Sequence, residues 1–270
     1  MPNVKHGSWN LNWKLTESSG IQIYLVQYKR KPVCWEASLP YVTVDHQEQD
    51  LTLTEETETR HGPFWFPLGT RNIQGDVQVN FLNGSFEICA DFSSSNAGQG
   101  LYNYTQIWRF HDDGRIEPIL SIKGPGLHSG HAYHPHWRFD FDLGTTSSDL
   151  LEYHDGAKWC RMKEEGWFPI AGESTKDGAV WRQVNKKSKQ AVHIRPHQIE
   201  DGELFAICYD ESQGAPYIPR RTPGGPAFPA NFSGRNSLVG KDVALWYVAH
   251  IHYSESFPFP SGPWIQVVNN

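Results

Sequence analysis

Trp137-Arg-Phe-Asp-Phe-Asp-Leu alternates apolar and polar side chains without a break. This predicts a strand whose Trp137, Phe139, Phe141 and Leu143 face a core while Arg138, Asp140 and Asp142 face the other way, as the polar side of the strand. The same two-residue period runs through Trp9-Asn-Leu-Asn-Trp-Lys-Leu, and Gly20 precedes Ile21-Gln-Ile-Tyr-Leu-Val-Gln-Tyr, so a Ser-Ser-Gly turn joins two opening strands. Val33-Cys-Trp-Glu-Ala-Ser-Leu continues that meander. Val77 to Phe81 and Phe86 to Phe92 flank Asn83-Gly84, a strong short hairpin signal. Tyr104 to Phe110 and Arg115 to Ile122 flank His111-Asp-Asp-Gly, a second hairpin. The last strong strand is Asp242-Val-Ala-Leu-Trp-Tyr-Val-Ala-His-Ile-His-Tyr. The stretch from Asp149 to Lys189 shows no sustained helical period, so the pattern predicts an all-β chain.

Two stretches break the strand pattern. Asp45 to Arg60 is acidic and Thr-rich, which predicts an exposed loop or lid, and Gly214 to Gly234 is Pro/Gly-rich and predicts a long surface loop. Neither an internal repeat nor a linker divides the chain, so residues 1–270 are expected to form a single domain. With 11 Trp, 11 Tyr and 14 Phe against 2 Met, composition also favours strands and turns over helices. A net charge of −6 without any basic block argues against nucleic acid or an anionic membrane as partner and suits a small or cationic ligand. The start has no apolar signal region, and no segment is long and apolar enough to cross a bilayer, so the expectation is a soluble, cytoplasmic protein. Cys34, Cys89, Cys160 and Cys208 are scattered with no C-x-x-C spacing, which excludes a zinc knuckle or thioredoxin motif and predicts buried free thiols.

Candidate chemistry gathers at histidines. His131-Ala-Tyr-His134-Pro-His136 carries an H-x-H pair, and His250-Ile-His252 carries another. Imidazoles one residue apart project from one face of a strand, so two such strands side by side aim several nitrogens at one divalent ion. All-imidazole donors with an open position suit copper, with zinc, nickel or iron as alternatives. Tyr104, directly after Asn103, lies upstream of the first histidine strand. His111, His193 and His197 read as solvated or structural.

In these residues the chain resembles the catalytic domain of the copper amine oxidases, enzymes that oxidise primary amines with copper and a quinone made from their own tyrosine. The likeness runs in order through Trp9 to Ser38, Asn103-Tyr104, Trp108-Arg-Phe-His-Asp-Asp-Gly-Arg-Ile-Glu, the histidine strand ending in Arg138-Phe-Asp-Phe-Asp-Leu, Trp181-Arg-Gln-Val-Asn, Gly240-Lys-Asp-Val-Ala-Leu-Trp and His250 to Pro258. It implies a large antiparallel β-sandwich. It gives Tyr104 the catalytic role, as precursor of topaquinone, and gives copper to His134 and His136 with one of His250 and His252. His131 is the reserve ligand, because counting back without gaps from Arg138 lands on His131 and Tyr133; for His134 and His136 to turn inward, a bulge at Pro135 is required. Thr105 stands where the family carries an acidic residue. The motif holding the family's general base has no match between Asp45 and Gly69, where Asp45 and Asp50 are the only aspartates. The family pairs its catalytic domains, so a homodimer is expected. The function implied is a copper-dependent oxidoreductase acting on a small amine-bearing substrate. The alternative is a metal- or His/Tyr-based lyase, cyclase or isomerase of specialised metabolism on the same fold without the quinone. A non-catalytic binding protein is the third class.

Overall fold

A computed structural model describes residues 2–16, 19–46, 73–93, 103–123, 131–144, 149–169, 178–196, 202–209, 220–221, 227–228, 236–249, 251–252 and 262–268. Among the described residues every extended element is a strand and no helix occurs, so the chain is all-β as its period predicts. No helix of the described residues is long and apolar enough to cross a membrane.

Two large antiparallel sheets carry the fold. The first runs in the order β1 (Asn3–His6), β2 (Trp9–Thr16), β3 (Gly20–Tyr28), β4 (Lys31–His46), β9 (His131–Asp140), β18 (Val243–Ala249), β15 (Gly202–Cys208) and β12 (Gly166–Pro169), and β19 (Ile251–His252) also pairs with β9. The second runs β11 (Trp159–Arg161), β10 (Asp149–His154), β13 (Trp181–Asn185), β14 (Ala191–Arg195), β20 (Trp264–Val268), β8 (Arg115–Lys123), β7 (Asn103–His111), β6 (Ser85–Ser93) and β5 (Ile73–Leu82). A two-stranded pair, β16 (Arg220–Arg221) and β17 (Ala227–Phe228), lies within the stretch expected to be a surface loop, most of which is outside the described residues. The expected lid from Asp45 begins differently: Asp45 and His46 end β4, opposite Ala132 and His131, and 47–60 lie outside the described residues.

The main core fills the space between the sheets, because each strand turns alternate apolar residues toward the other layer. Trp108 of β7 meets Trp137 of β9 edge to face with ring centroids 5.2 Å apart, and its Nε1 donates to the Ile21 carbonyl at 3.0 Å. Gln106, fully buried, accepts from the Ile21 amide at 2.7 Å and donates to the Ile21 carbonyl at 3.1 Å. Tyr28 Oη and Trp9 Nε1 donate to carbonyls of Asp112 and His111, tying the opening strands to the hairpin at Gly114. Trp137, Phe139, Phe141 and Leu143 all lie in this core, as the alternation predicts.

The other side of β9 departs from expectation. Arg138 and Asp140 are buried rather than solvated, only 1% and 3% exposed. A second, smaller apolar cluster is buried on the same face: Phe205, Ile207, Ala244, Trp246 and Val248 lie on the side of the first sheet that points away from the sandwich interior.

Gly262, just before β20, sits where the backbone of Pro118 passes closest. A Cβ there would stand 2.2 Å from the Pro118 carbonyl oxygen, which only a backbone shift relieves. Gly262→Ala is therefore expected to lower unfolding free energy by about 1–3 kcal/mol, the usual range for overpacking a filled interior, read by urea denaturation. A loss below the error of the measurement would show that the β8–β20 packing yields freely.

Candidate functional site

β9 is regular from end to end, and this settles which side chains share a face. Leu245, Trp246, Tyr247 and Val248 pair with Phe139, Arg138, Trp137 and His136, and β19 continues the same register with Ile251 opposite Tyr133 and His252 opposite Ala132. Alternation therefore passes unbroken through Pro135. The bulge needed at Pro135 is absent; the irregularity falls instead in β4, between Ser38 and Tyr41. Tyr133, Trp137 and Phe139 face the interior core, and His134, His136, Arg138 and Asp140 face the opposite side of the sheet.

Tyr104 lies in β7 between Phe92 of β6 and Ile122 of β8, buried within the interior core. The first sheet thus stands between Tyr104 and the imidazoles of His134 and His136. Thr105, pointing the other way from Tyr104, donates its hydroxyl to Asp91 at 2.5 Å. The structure does bring the two histidine strands together, since β19 lies directly beside β9. His250 lies outside the described residues; of His131 and His252 only the backbone is described, paired with His46 and Ala132.

Copper next to Tyr104 does not fit the described residues. Tyr133 holds the interior position that the ungapped count gives to a second ligand, the H-x-H pair is on the far face, and no three His, Cys, Asp or Glu side chains among the described residues converge to hold a metal.

What the far face does hold is a buried polar row. His134 and His136 are followed by Arg138 and Asp140 along one strand, with Glu36 and Ser38 beside them on β4 and Trp246 and Val248 on β18. Arg138 Nη1 donates to Glu36 at 2.5 Å, and its guanidinium lies 5.2 Å from the ring centroid of Tyr209. Glu203, two strands away, accepts from Trp167 Nε1. Burial pushes the Asp140 carboxyl up to about 7, with Asp242 adding to the rise and the Arg138 cation opposing it. Burial likewise raises the Tyr209 phenol and the Asp242 carboxyl. Cys34, behind the row, donates its thiol to the carbonyls of Glu36 and Asp140; burial holds its pKa well above the usual thiol range, which makes it unreactive. The other three cysteines are free and half-buried.

A carboxyl that titrates near neutrality, two imidazoles and a fixed guanidinium on one shielded face are groups suited to moving protons. Glu36 and Tyr209 were invisible as site residues to a motif search. The signal was in their neighbours: Ala244-Leu-Trp-Tyr-Val-Ala and Leu204-Phe-Ala-Ile do not alternate, which marks strands covered on both faces. At the end of the sandwich, Asp242 also lines a narrow cleft of about 20 Å³ with Asp149, Gln183 and Met162. Asp149 is held there by Gln183, Asn185 and the Leu143 amide, and burial raises its pKa. His111, read as structural, pairs with Glu117 at 2.9 Å on the second sheet.

No protein-family model and no curated protein sequence matches the chain. Solved structures do. A copper-containing benzylamine oxidase from Hansenula polymorpha superposes with a TM-score of 0.65 at 11% identity, over 98% of this chain and 59% of its own. An amine oxidase from Aspergillus nidulans gives 0.61 at 12% identity, over 99% and 51%. A lysyl oxidase from Pichia pastoris gives 0.58 at 14% identity, over 99% and 52%. The chain thus spans a little over half the length of these proteins and shares their β-sandwich fold.

Proposed function

We propose that this chain is a small enzyme that keeps the amine-oxidase sandwich, leaves Tyr104 an unmodified phenol, and carries out proton-transfer chemistry on the far face of the first sheet. The reaction class is a lyase, cyclase or isomerase acting on a small amine-bearing substrate. One observation carries the reading: His134, His136, Arg138 and Asp140 form a continuous buried row on the face opposite Tyr104. Buried titratable groups are costly to a fold and concentrate where chemistry needs them.

In this reading Asp140, with a pKa of about 7, is the general base, because it is present in both protonation states at neutral pH. Arg138, fixed by Glu36 and Tyr209, stabilises negative charge that develops during the reaction. His134 and His136, with His252 of β19 or His250 of the same H-x-H pair, are the residues that would hold a divalent transition ion, which would supply Lewis acidity there. The carboxylates of Glu36 and Asp140 suit an ammonium group on the substrate.

The oxidase reading is favoured by a different observation, the superposition on solved amine oxidases over nearly the whole chain with Tyr104 buried after Asn103. It requires copper beside Tyr104 from His131, His250 or His252, whose side chains lie outside the described set.

One experiment separates the two: aerobic copper loading followed by metal analysis, intact mass and phenylhydrazine. The expected result is metal bound at one equivalent or less, uptake lost in His136→Ala, no gain of mass at Tyr104 and no coloured adduct. Addition of two oxygens with loss of two hydrogens at Tyr104, together with peroxide release from a primary amine, would overturn the proposal and establish the oxidase.

A further inference from the structure

The sequence has no basic block, but the fold assembles one. Lys29-Arg30 is the two-residue turn between β3 and β4, with Tyr28 opposite Lys31, and exposed Lys186, Lys187 and Lys189 form the turn between β13 and β14. The two turns meet where Gln190 Nε2 donates to the Pro32 carbonyl at 2.8 Å, so Lys31 and Lys189 each stand one residue from a shared bond. Further bonds gather the neighbouring turns at the same end of the sandwich. Lys29 N donates to the Ser8 carbonyl at 2.8 Å, Tyr28 Oη to that of Asp112 at 2.9 Å, and Asp112 N to that of Gly84 at 2.9 Å. Beside Gly84, Phe81 and Leu82 are 61% and 46% exposed, and the Phe81 ring rests against His6 with centroids 5.2 Å apart.

Two features mark this end as more than a solvated rim. Lys29 and Arg30 have φ of 50° and 65°, the left-handed pair that a two-residue hairpin turn demands and that Asn-Gly supplies with far less strain. Two long cations there gain the turn nothing, so their use is in what they meet outside. The second feature is uncompensated charge. The ion pairs of the described residues lie elsewhere, on Arg109, His111, Arg115, Arg138 and Arg182, and none involves Lys29, Arg30, Lys31, Lys186 or Lys187. The Lys29 ammonium lies 5.1 Å from the Tyr28 ring centroid, a contact that leaves its charge in place. The acids beside these turns are Asp112, Asp113 and Asp142, of which Asp113 and Asp142 accept from the amides of Arg115 and Gly144. Farther along the same end, Asp149 and Asp242 line the narrow cleft together with Arg161 and Lys241. The adjoining stretches are close to balanced in sequence: 145–148 carry no charge, 210–235 set Asp210 and Glu211 against Arg220, Arg221 and Arg235, and a carboxylate after Asn270 would subtract one. Charges act over about 8 Å at physiological salt, so the −6 of the whole chain does not cancel a local excess.

We infer that this end of the sandwich docks on the anionic leaflet of a phospholipid bilayer, its lysines and Arg30 among the headgroups and Phe81 and Leu82 dipping beneath them. Each Lys or Arg brought close to such a leaflet is worth about fivefold in partitioning, and exposed apolar side chains add to this where headgroups meet acyl chains. Hairpin tips are convex and meet a flat surface more readily than they line a groove. A nucleic-acid backbone would match the cations and leave the exposed apolar pair without a role. The docking end is separate from the proposed catalytic row, and the inference does not depend on the chemistry proposed there.

The test is co-sedimentation of the full chain with vesicles of phosphatidylcholine alone and of phosphatidylcholine mixed with phosphatidylserine, at low and at high salt. Expected are binding to the mixed vesicles only, loss of most of it at high salt, at least tenfold weaker partitioning in the double variant Lys29→Asn, Arg30→Gly, and a smaller loss in Leu82→Ser. That double variant installs the residues the turn prefers, so its melting temperature is expected to be no lower than the parent's, and its loss of binding is then no sign of misfolding. Should it melt early, the double variant Lys186→Gln, Lys187→Gln carries the same expectation of weakened binding. Absence of binding to the mixed vesicles overturns the inference, as does equal binding to both kinds of vesicle or undiminished binding in both double variants. So does tighter binding of duplex DNA than of mixed vesicles at the same salt, weakened by the same substitutions.

Discussion

Asp140→Asn is expected to make the protein more stable at pH 8, by roughly 2–4 kcal/mol, and to flatten its stability between pH 4 and 7. The folded-state pKa of Asp140 is raised from 3.8 to about 7, so between those values the folded chain holds a proton that the unfolded chain has released. Stability therefore falls as pH rises through that window and is constant above it; each tenfold difference in proton affinity between the folded and unfolded chains is worth about 1.4 kcal/mol, which sets the upper figure. The groups facing Asp140 are Asp242, Glu36 and Asp142, which raise its pKa, and Arg138, which lowers it; Arg138 retains Glu36 in the variant. Urea denaturation of both proteins from pH 4 to 8 reads the difference. Equal stability of the two at pH 8 would mean that Asp140 is solvated in solution and is no candidate base. Under the proposed function the more stable variant is also the inactive one, since the group removed is costly to folding and needed for proton transfer.

Trp108→Ala is expected to lower unfolding free energy by about 3–5 kcal/mol, the range for emptying a large aromatic from a filled core. Trp108 is fully buried, contacts Trp137 and Phe139 of the facing sheet, and donates to the Ile21 carbonyl. Gln106 still donates to that carbonyl in the variant, so the loss is one of packing across the layers rather than of an unsatisfied backbone group. The check is the denaturation midpoint at constant slope. A loss under about 1 kcal/mol would mean that the two layers close over the gap.

Much of the fold was legible because its strands obey simple periodicity. Trp137 to Leu143, the Asn83-Gly84 hairpin and the His111 to Gly114 hairpin all lie where alternation and turn residues put them. The sandwich itself followed from the ordered resemblance, and the superposed amine oxidases share it. The candidate site was legible only in part. Alternation alone, counted without a gap from Arg138, already assigns His134 and His136 to the face away from Trp137; an inward-turning bulge at Pro135 is the step that fails. Proline was compatible with a regular strand here, so its presence did not imply a break. Arg138 and Asp140 read as the solvated side of a strand because polar side chains usually are. They share their face with the buried apolar residues of β15 and β18, distant in sequence, whose uninterrupted apolar runs carried the information that this face is covered.

Gln106 offers one more consequence. Its amide takes the place of a neighbouring strand for Ile21, matching both donor and acceptor across the gap between the two layers. A rung of that kind has only one length and one angle at which both of its contacts close, so it indexes one sheet against the other much as a dowel fixes two boards. Shear between the layers, the easiest collective motion for a stacked pair of twisted sheets, is thereby opposed near Ile21. Whatever breathing the molecule needs to admit a guest is left to the outer surfaces and the far end of the sandwich.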